Sequence, residues 1–247
     1  MITYGKTDAG QLRPMNQDYH WESVSPVGSF PNLFIIADGM GGHNAGDFAS
    51  RFAVRQFVAL AQNEVNMEIP ALLGHLMIQV NNQLYQKSKE EPELSGMGTT
   101  MVVGTVCGDI LYVANVGDSR LYVCGNELLQ VTKDHSLVEE MVAEGKLEKN
   151  SDLYYSQKNI ITRALGGASY VQPDVFRVSL ESDEIILMCT DGLTNMVSDG
   201  QIWNILKGDG DLHQKVSQLI RMANENGGKD NITVIVIDPE PGKEELC

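Results

Sequence analysis

The chain has 247 residues, 43% of them hydrophobic and 21% charged, enough apolar material for a sizeable core and no compositional sign of disorder. Its 18 basic residues against 33 acidic ones give a net charge of −15, a field that repels polyanions and argues against a nucleic-acid partner. Two readings of that charge are open, a solubilising surface or a metal site, and the positions of the carboxylates decide between them.

The chain opens MITYGKTDAG, without a charged leader followed by an apolar segment. No stretch of about 18 apolar residues follows, so a cytoplasmic protein outside the membrane is expected. Residues 33–37 are a short apolar run that predicts a buried strand, ended by the loop Asp38-Gly-Met-Gly-Gly-His43. Ala45, Ala49, Phe52, Ala53, Phe57 and Leu60 recur at steps of three and four, as an amphipathic helix requires. Pro70 opens a second helix whose stripe is Leu73, Leu76, Met77, Val80 and Leu84, and residues 87–93 read as a loop.

Strands 100–107 and 110–116 flank the turn pair Gly108-Asp109, and strands 120–124 and 127–132 flank Gly125-Asn126, two hairpin signatures. Residues 134–159 are rich in Lys, Glu and Ser with one short helical pattern at Leu137, Met141 and Val142, and are expected to form a surface flap. Strands at 171–178 and 184–190, helices at 199–206 and 211–224 and a strand at 232–237 complete the chain. Grouped helices and hairpin-linked strands favour an α+β layered architecture of antiparallel sheets. One domain is expected over residues 1–240, with a loose tail at 241–247. The cysteines, Cys107, Cys124, Cys189 and Cys247, form no CxxC pair, and three lie in apolar runs, which predicts reduced core thiols.

Asp38, Asp118, Asp191 and Asp230 all fall at predicted strand ends, where neighbouring antiparallel strands can bring them to one rim. Any one of them alone reads as a turn residue. Together, each with a glycine or polar neighbour that permits close approach, they read as a ligand set made of oxygen. That chemistry points to Mg²⁺ or Mn²⁺ and away from structural zinc, and shared carboxylates could hold two ions roughly 3.5–4 Å apart.

Read in order, Arg13-Pro-Met-Asn-Gln-Asp18, Asp38-Gly-Met-Gly-Gly-His43, Gly98-Thr-Thr100, Val116-Gly-Asp-Ser-Arg120, Thr162-Arg-Ala-Leu-Gly166, Cys189-Thr-Asp-Gly192 and Asp230-Asn-Ile-Thr-Val234 resemble the motif series of the metal-dependent protein phosphatases, the type 2C serine/threonine phosphatases. The resemblance spans nearly the whole chain and is closest to compact bacterial members. It implies an αββα sandwich of two antiparallel sheets flanked by helix pairs, with the metals in a cleft at one end. It also implies that Asp38 bridges two cations, that the Gly39 carbonyl ligates one, and that Asp191 and Asp230 complete the other. Asp118 corresponds to a ligand that, with Asp191, binds a third cation. Asp18 corresponds to an acidic residue holding a metal-bound water, and Arg13 to an arginine that grips the phosphate.

The implied chemistry is hydrolysis of phosphoserine and phosphothreonine by a metal-activated water, without a covalent intermediate. Met40 stands where many animal relatives carry a histidine proposed as general acid. That leaves His43 or a metal-bound water as proton donor, and His43 could equally cap the helix that begins at about residue 44. Gln17 occupies a position where animal members carry glutamate, and His135 in Asp134-His-Ser136 reads as structural. Ser119 lacks the glycine context of a nucleophile elbow, because Leu121 follows Arg120. The expected partners are phosphoproteins, including a serine/threonine kinase and its targets, acted on by a monomer, with the flap selecting among them. Two rival readings are an inactive binding module on the same fold and a metal-dependent phosphodiesterase. The retained carboxylates argue against the first and the missing basic strip against the second.

Overall fold

The structure, a computed structural model, describes residues 1–42, 45–63, 67–149 and 151–239. In chain order the elements are β1 (Ile2–Asp8), β2 (Asp18–Ser23), β3 (Leu33–Met40), α1 (Ala45–Ala61), α2 (Ile69–Glu90), β4 (Gly98–Thr99), β5 (Met101–Cys107), β6 (Ile110–Val116), β7 (Arg120–Cys124), β8 (Leu128–Gln130), α3 (Leu137–Ala143), α4 (Asp152–Gln157), β9 (Asp174–Ser179), β10 (Ile185–Cys189), α5 (Asp191–Thr194), α6 (Asp199–Lys207), α7 (Leu212–Glu225) and β11 (Ile232–Asp238). They build two antiparallel sheets. One has the order β1-β11-β10-β7-β8 and the other β2-β3-β5-β6-β9, with β4 paired to β3.

Three apolar layers hold the sandwich together. Phe34, Ile36, Val102, Val113, Leu121, Ile186, Met188 and Ile235 project from both sheets into the space between them. The opposite faces of the same strands are apolar as well, since each sheet is covered by helices. Leu33, Ile35 and Val103 meet Ala49, Ala53 and Phe57 of α1 and Leu73, Leu76 and Val80 of α2. On the other side Leu187, Val234 and Val236 meet Ile202 and Leu206 of α6 and Val216, Leu219 and Ile220 of α7. The αββα arrangement follows from this double-sided burial. A reciprocal capping box starts α7, with Gln214 N–H donating to Asp211 at 2.8 Å and Asp211 N–H to the Gln214 side chain at 3.1 Å.

Several boundaries differ from those read in the sequence. β3 runs on through Asp38 and Gly39 to Met40, because β2 pairs Asp18 with Asp38 and β4 pairs Thr99 with Gly39. β9 begins only at Asp174, after Pro173, whose missing N–H cannot join a ladder. β1 and β2 were not anticipated. Both lie at sheet edges, and their half-buried residues blur the apolar signal. The expected flap contains α3 and α4, yet its first residues belong to the body: Asp134 pairs with Arg120 at 2.6 Å and His135 is buried. Cys124 and Cys189 are buried free thiols, whereas Cys107, half-buried at the end of β5, is disulfide-bonded and not reduced as expected. The expected tail at 241–247 lies outside the described residues, and among those residues no helix is long and apolar enough to cross a membrane.

Candidate metal centre

The two sheets bring their carboxylates together at one end of the sandwich. Asp18 opens β2 directly across from Asp38 in β3, so two like charges face each other on adjacent strands. Such a pair is unfavourable unless something neutralises it. Asp118 follows β6, Asp191 follows β10 as the first residue of α5, and Asp230 precedes β11. Asp38 feels all four of the others, and burial together with this repulsion holds its carboxyl well above the usual aspartate range. Burial likewise raises Asp18 to about 7, Asp118 to about 8 and Asp191 to about 6, with neighbouring aspartates adding to each.

Threonine hydroxyls orient the cluster. Thr190 and Thr233 both donate to Asp18 Oδ2, at 2.8 and 2.6 Å, and Thr190 Oγ1 accepts in turn from the Thr233 amide at 3.0 Å. Thr7 Oγ1 lies 2.7 Å from Thr233 Oγ1 and accepts from Asn16 at 2.8 Å. The Asp38 amide donates to Thr100 Oγ1 at 2.9 Å and its carbonyl accepts from the Thr99 hydroxyl at 2.8 Å. Asn195 donates to Asp191 Oδ2 at 2.9 Å, and the Asn231 amide to Asp230 Oδ1 at 2.9 Å. The Asn231 side chain also ties the loop of residues 9–17 to β11, donating to the Ala9 and Met15 carbonyls and accepting from the Gln17 amide. Gly192 has no room for a side chain: a Cβ there would lie 1.9 Å from the Asn231 carbonyl oxygen. Its absence lets the Asp191 and Asp230 segments approach backbone to backbone.

Among these supporting residues, Thr190 and Thr233 stand inside motifs visible in the sequence, whose reading assigns them no role of their own. Their signal was present as a single hydroxyl breaking an otherwise apolar strand, at Thr233 between Ile232 and Val234, and as a threonine directly before an aspartate at Thr190.

Three of the four buried side-chain oxygens without a hydrogen-bond partner among the described residues are Asp18 Oδ1, Asp118 Oδ1 and Asp191 Oδ1. An unsatisfied buried carboxylate oxygen is costly, and a hard cation is the partner that an oxygen-only site accommodates. The residues therefore fit Mn²⁺ or Mg²⁺. Among the described residues no three acidic, imidazole or thiol groups close around one point. Each ion would draw on the carboxylates of this rim, and water would fill the positions that the side chains leave open.

Arg13 is brought to the same rim, where Nη2 donates to Asp230 Oδ2 at 2.7 Å from a side chain that is 52% exposed. Gly39 is buried, with its amide donating to the Gln17 carbonyl at 3.1 Å. Met40 is half-buried at the end of β3, and His43 lies outside the described residues. Ser119 is buried with its hydroxyl 2.7 Å from Thr100 Oγ1, in no position to attack a substrate. Beside the carboxylates a cleft of about 460 Å³ runs between the α3–α4 segment and α5–α6, with Asp118, Asp191, Lys149, Tyr154, Lys158 and Asn195 on its walls.

The family model described as protein phosphatase 2C matches residues 12–236 of the chain. The chain belongs to the protein phosphatase 2C family. Serine/threonine phosphatase stp of Listeria monocytogenes is 39% identical to it over 246 residues, 94% of each protein. Serine/threonine phosphatase Stp1 from Staphylococcus aureus superposes with a TM-score of 0.88 at 34% identity, covering 96% of this chain and 94% of that one. The catalytic domain of the serine threonine protein phosphatase PstP, solved in complex with two manganese ions, superposes at 0.81 with 32% identity and coverage of 95% and 96%. The two-sheet architecture of this phosphatase family is thus the one that positions the five aspartates.

Proposed function

We propose that this metal-dependent serine/threonine phosphatase hydrolyses phosphoserine and phosphothreonine in proteins at the aspartate rim. The convergence of buried carboxylates with unpaired oxygens carries the reading. In this reading Asp38, the Gly39 carbonyl, Asp191 and Asp230 hold a cation pair, Mn²⁺ or Mg²⁺, and Asp118 with Asp191 holds a third. When bound, such ions supply a water acidic enough to attack phosphorus near neutral pH and neutralise charge on the phosphoryl group.

The side chains do the rest. Thr190 and Thr233 anchor one oxygen of Asp18, leaving Oδ1 to accept from and orient the attacking water. Arg13 offers a planar donor fork matched to phosphate oxygens, and its bond to Asp230 keeps it at the rim. Residues flanking the phosphorylated side chain lie in the cleft beside α3 and α4, which makes that segment the selector among substrates. The family resemblance supports a cytoplasmic monomer acting on phosphoproteins that include a serine/threonine kinase and its targets.

The test is a chelator-treated sample assayed on an aryl phosphate and a phosphothreonine peptide, with Mn²⁺ added back, beside Asp191→Asn. Activity should vanish on chelation, return with Mn²⁺ and fail to return in the variant. Hydrolysis that survives either treatment would overturn the proposal.

A further inference from the structure

Asp118 follows Gly117, and Gly117 is gripped on both sides by a residue far along the chain. Its amide donates to His135 Nδ1 at 3.1 Å, and its carbonyl accepts from the His135 amide at 3.0 Å. Asn115 Nδ2 reaches the same carbonyl at 3.3 Å. Gly117 has a φ of +109°, and a Cβ there would lie 2.5 Å from Thr100 Cγ2, so the turn that presents Asp118 has little freedom. What holds Gly117 therefore places Asp118.

The hydrogen bonds fix the state of the imidazole. A backbone N–H can only donate, so Nδ1 is the acceptor and a neutral ring carries its proton on Nε2. Nε2 stands 3.3 Å from Asp174 Oδ2. Arg163 Nη1 lies 3.2 Å from Nε2, but a guanidinium also only donates, and it bonds instead to Asp174 Oδ1 at 3.1 Å. Asp174 thus receives both donors. The ring is buried, and burial with the nearby Arg163 lowers its pKa, in keeping with a neutral imidazole.

The same residue sits where the α3–α4 segment leaves the sandwich and rejoins it. Ser136 caps α3 and bridges to Ile161, the Thr162 amide donates to the His135 carbonyl at 2.8 Å, and the Leu137 amide donates to Ile160 at 2.8 Å. One side chain touches the turn before Asp118, while its backbone carries both ends of the segment that walls the cleft.

We propose that His135 is a positioning residue: through Gly117 it fixes Asp118, and so makes the cation held by Asp118 and Asp191 depend on the seating of the α3–α4 segment. This rests on the proposed role of Asp118 as a cation ligand. Residues that orient a metal ligand from behind are worth about 10–100-fold in metal affinity, which sets the expected effect.

The experiment is a calorimetric Mn²⁺ titration of chelator-treated wild type, Asp118→Asn, His135→Ala and His135→Asn, with hydrogen exchange at Gly117 and melting of the metal-free forms. Wild type should bind two ions tightly and a third more weakly, and Asp118→Asn should lose the weaker phase. His135→Ala should weaken that phase by about tenfold or more, leave the tight pair intact and speed exchange at Gly117. His135→Asn should recover most of the affinity, because its side-chain oxygen can accept from the Gly117 amide. If His135→Ala does not fold, Asp174→Ala, which removes the partner of Nε2, should weaken the same phase. Asp118→Asn losing the weaker ion while the His135 and Asp174 variants keep it would overturn the positioning role alone. So would equal weakening of both phases with a lowered melting temperature, the mark of a merely structural residue. A weaker phase that is absent from wild type, or untouched in Asp118→Asn, would overturn the ligand reading and this inference with it.

Discussion

Chelator-treated protein should lose stability as pH rises from about 5 to about 8, the reverse of the behaviour of ordinary salt-bridged carboxylates. In the folded chain Asp18 is held at about 7, Asp118 at about 8 and Asp191 at about 6, against a usual 3.8, with burial the main cause of each. The folded chain therefore keeps protons that the unfolded chain has released, and unfolding in this window gives protons up. Stability from these groups is fully present below the unfolded value and is lost as pH climbs through the folded ones. Asp18 sets the scale: a value raised by about 3 pH units corresponds to ~4 kcal/mol over the whole range, of which ~3 kcal/mol falls between about pH 5 and about pH 8. For a chain of this length that is a fall of roughly 6–12 °C in melting temperature. Calorimetry of the metal-free protein across this range, repeated with excess Mn²⁺, measures it. The gain in melting temperature from Mn²⁺ should grow with pH, because the cation replaces the proton and binds the ionised carboxylates. A metal-free melting temperature that is flat or rising over the interval would refute the reasoning.

Thr233→Val keeps the shape but deletes the hydroxyl that donates to Asp18 at 2.6 Å. It should cost ~1–3 kcal/mol in urea denaturation and weaken Mn²⁺ binding, and an unchanged midpoint would count against the threonine network. The ion pair of Arg13 with Asp230 is half-exposed, so Arg13→Ala should change stability by less than about 1 kcal/mol. In that variant KM for a phosphothreonine peptide should rise with Mn²⁺ affinity retained; weakened Mn²⁺ binding would show that Arg13 serves Asp230 and not the phosphate. Gly192→Ala would drive a methyl group against the Asn231 carbonyl oxygen, and should destabilise by at least ~1–3 kcal/mol and impair metal binding. Wild-type stability in that variant would remove the argument from close approach.

Most of the fold was legible because the helices and central strands bury one or two complete faces. The stripe of α2 and the runs of β3, β5 and β11 are apolar at most of their buried positions, with polar exceptions such as Asn81, Thr105 and Thr233. The edge strands escaped because a single neighbouring strand and partial burial ask little of their side chains. In β1, Ile2 is exposed while Thr3, Tyr4, Gly5, Thr7 and Asp8 are all half-buried, and no alternation survives. Asp38, Asp118, Asp191 and Asp230 could be picked out because each lies at one end of an apolar run, where a charge needs a reason, whereas Asp18 came only from the family resemblance. Their mutual placement could not be. Nothing local to Asp18 says that it faces Asp38 across a strand pair, since that register belongs to β2 and β3 together. The threonines that orient the cluster were hidden for a related reason: threonine is an ordinary strand former, and only the structure shows which hydroxyl has a carboxylate to serve.

The two readings of the net charge can now be separated. Asp18, Asp38, Asp118, Asp191 and Asp230 meet at the rim, yet they supply only five of the fifteen excess negative charges. Other acidic residues lie on the surface, such as Glu144 paired with Lys146 and Glu225 beside Arg221, where charge keeps the chain soluble. Cations at the rim would therefore leave the molecule acidic as a whole. An anionic substrate must be drawn by the local field, and the local cationic groups are largely spoken for. Arg120 is locked to Asp134 by three bonds and Lys149 reaches Glu139 at 3.1 Å. In the proposed site the attraction for a phosphate would fall to the cations and to Arg13, so metal loss should weaken substrate binding along with the chemistry.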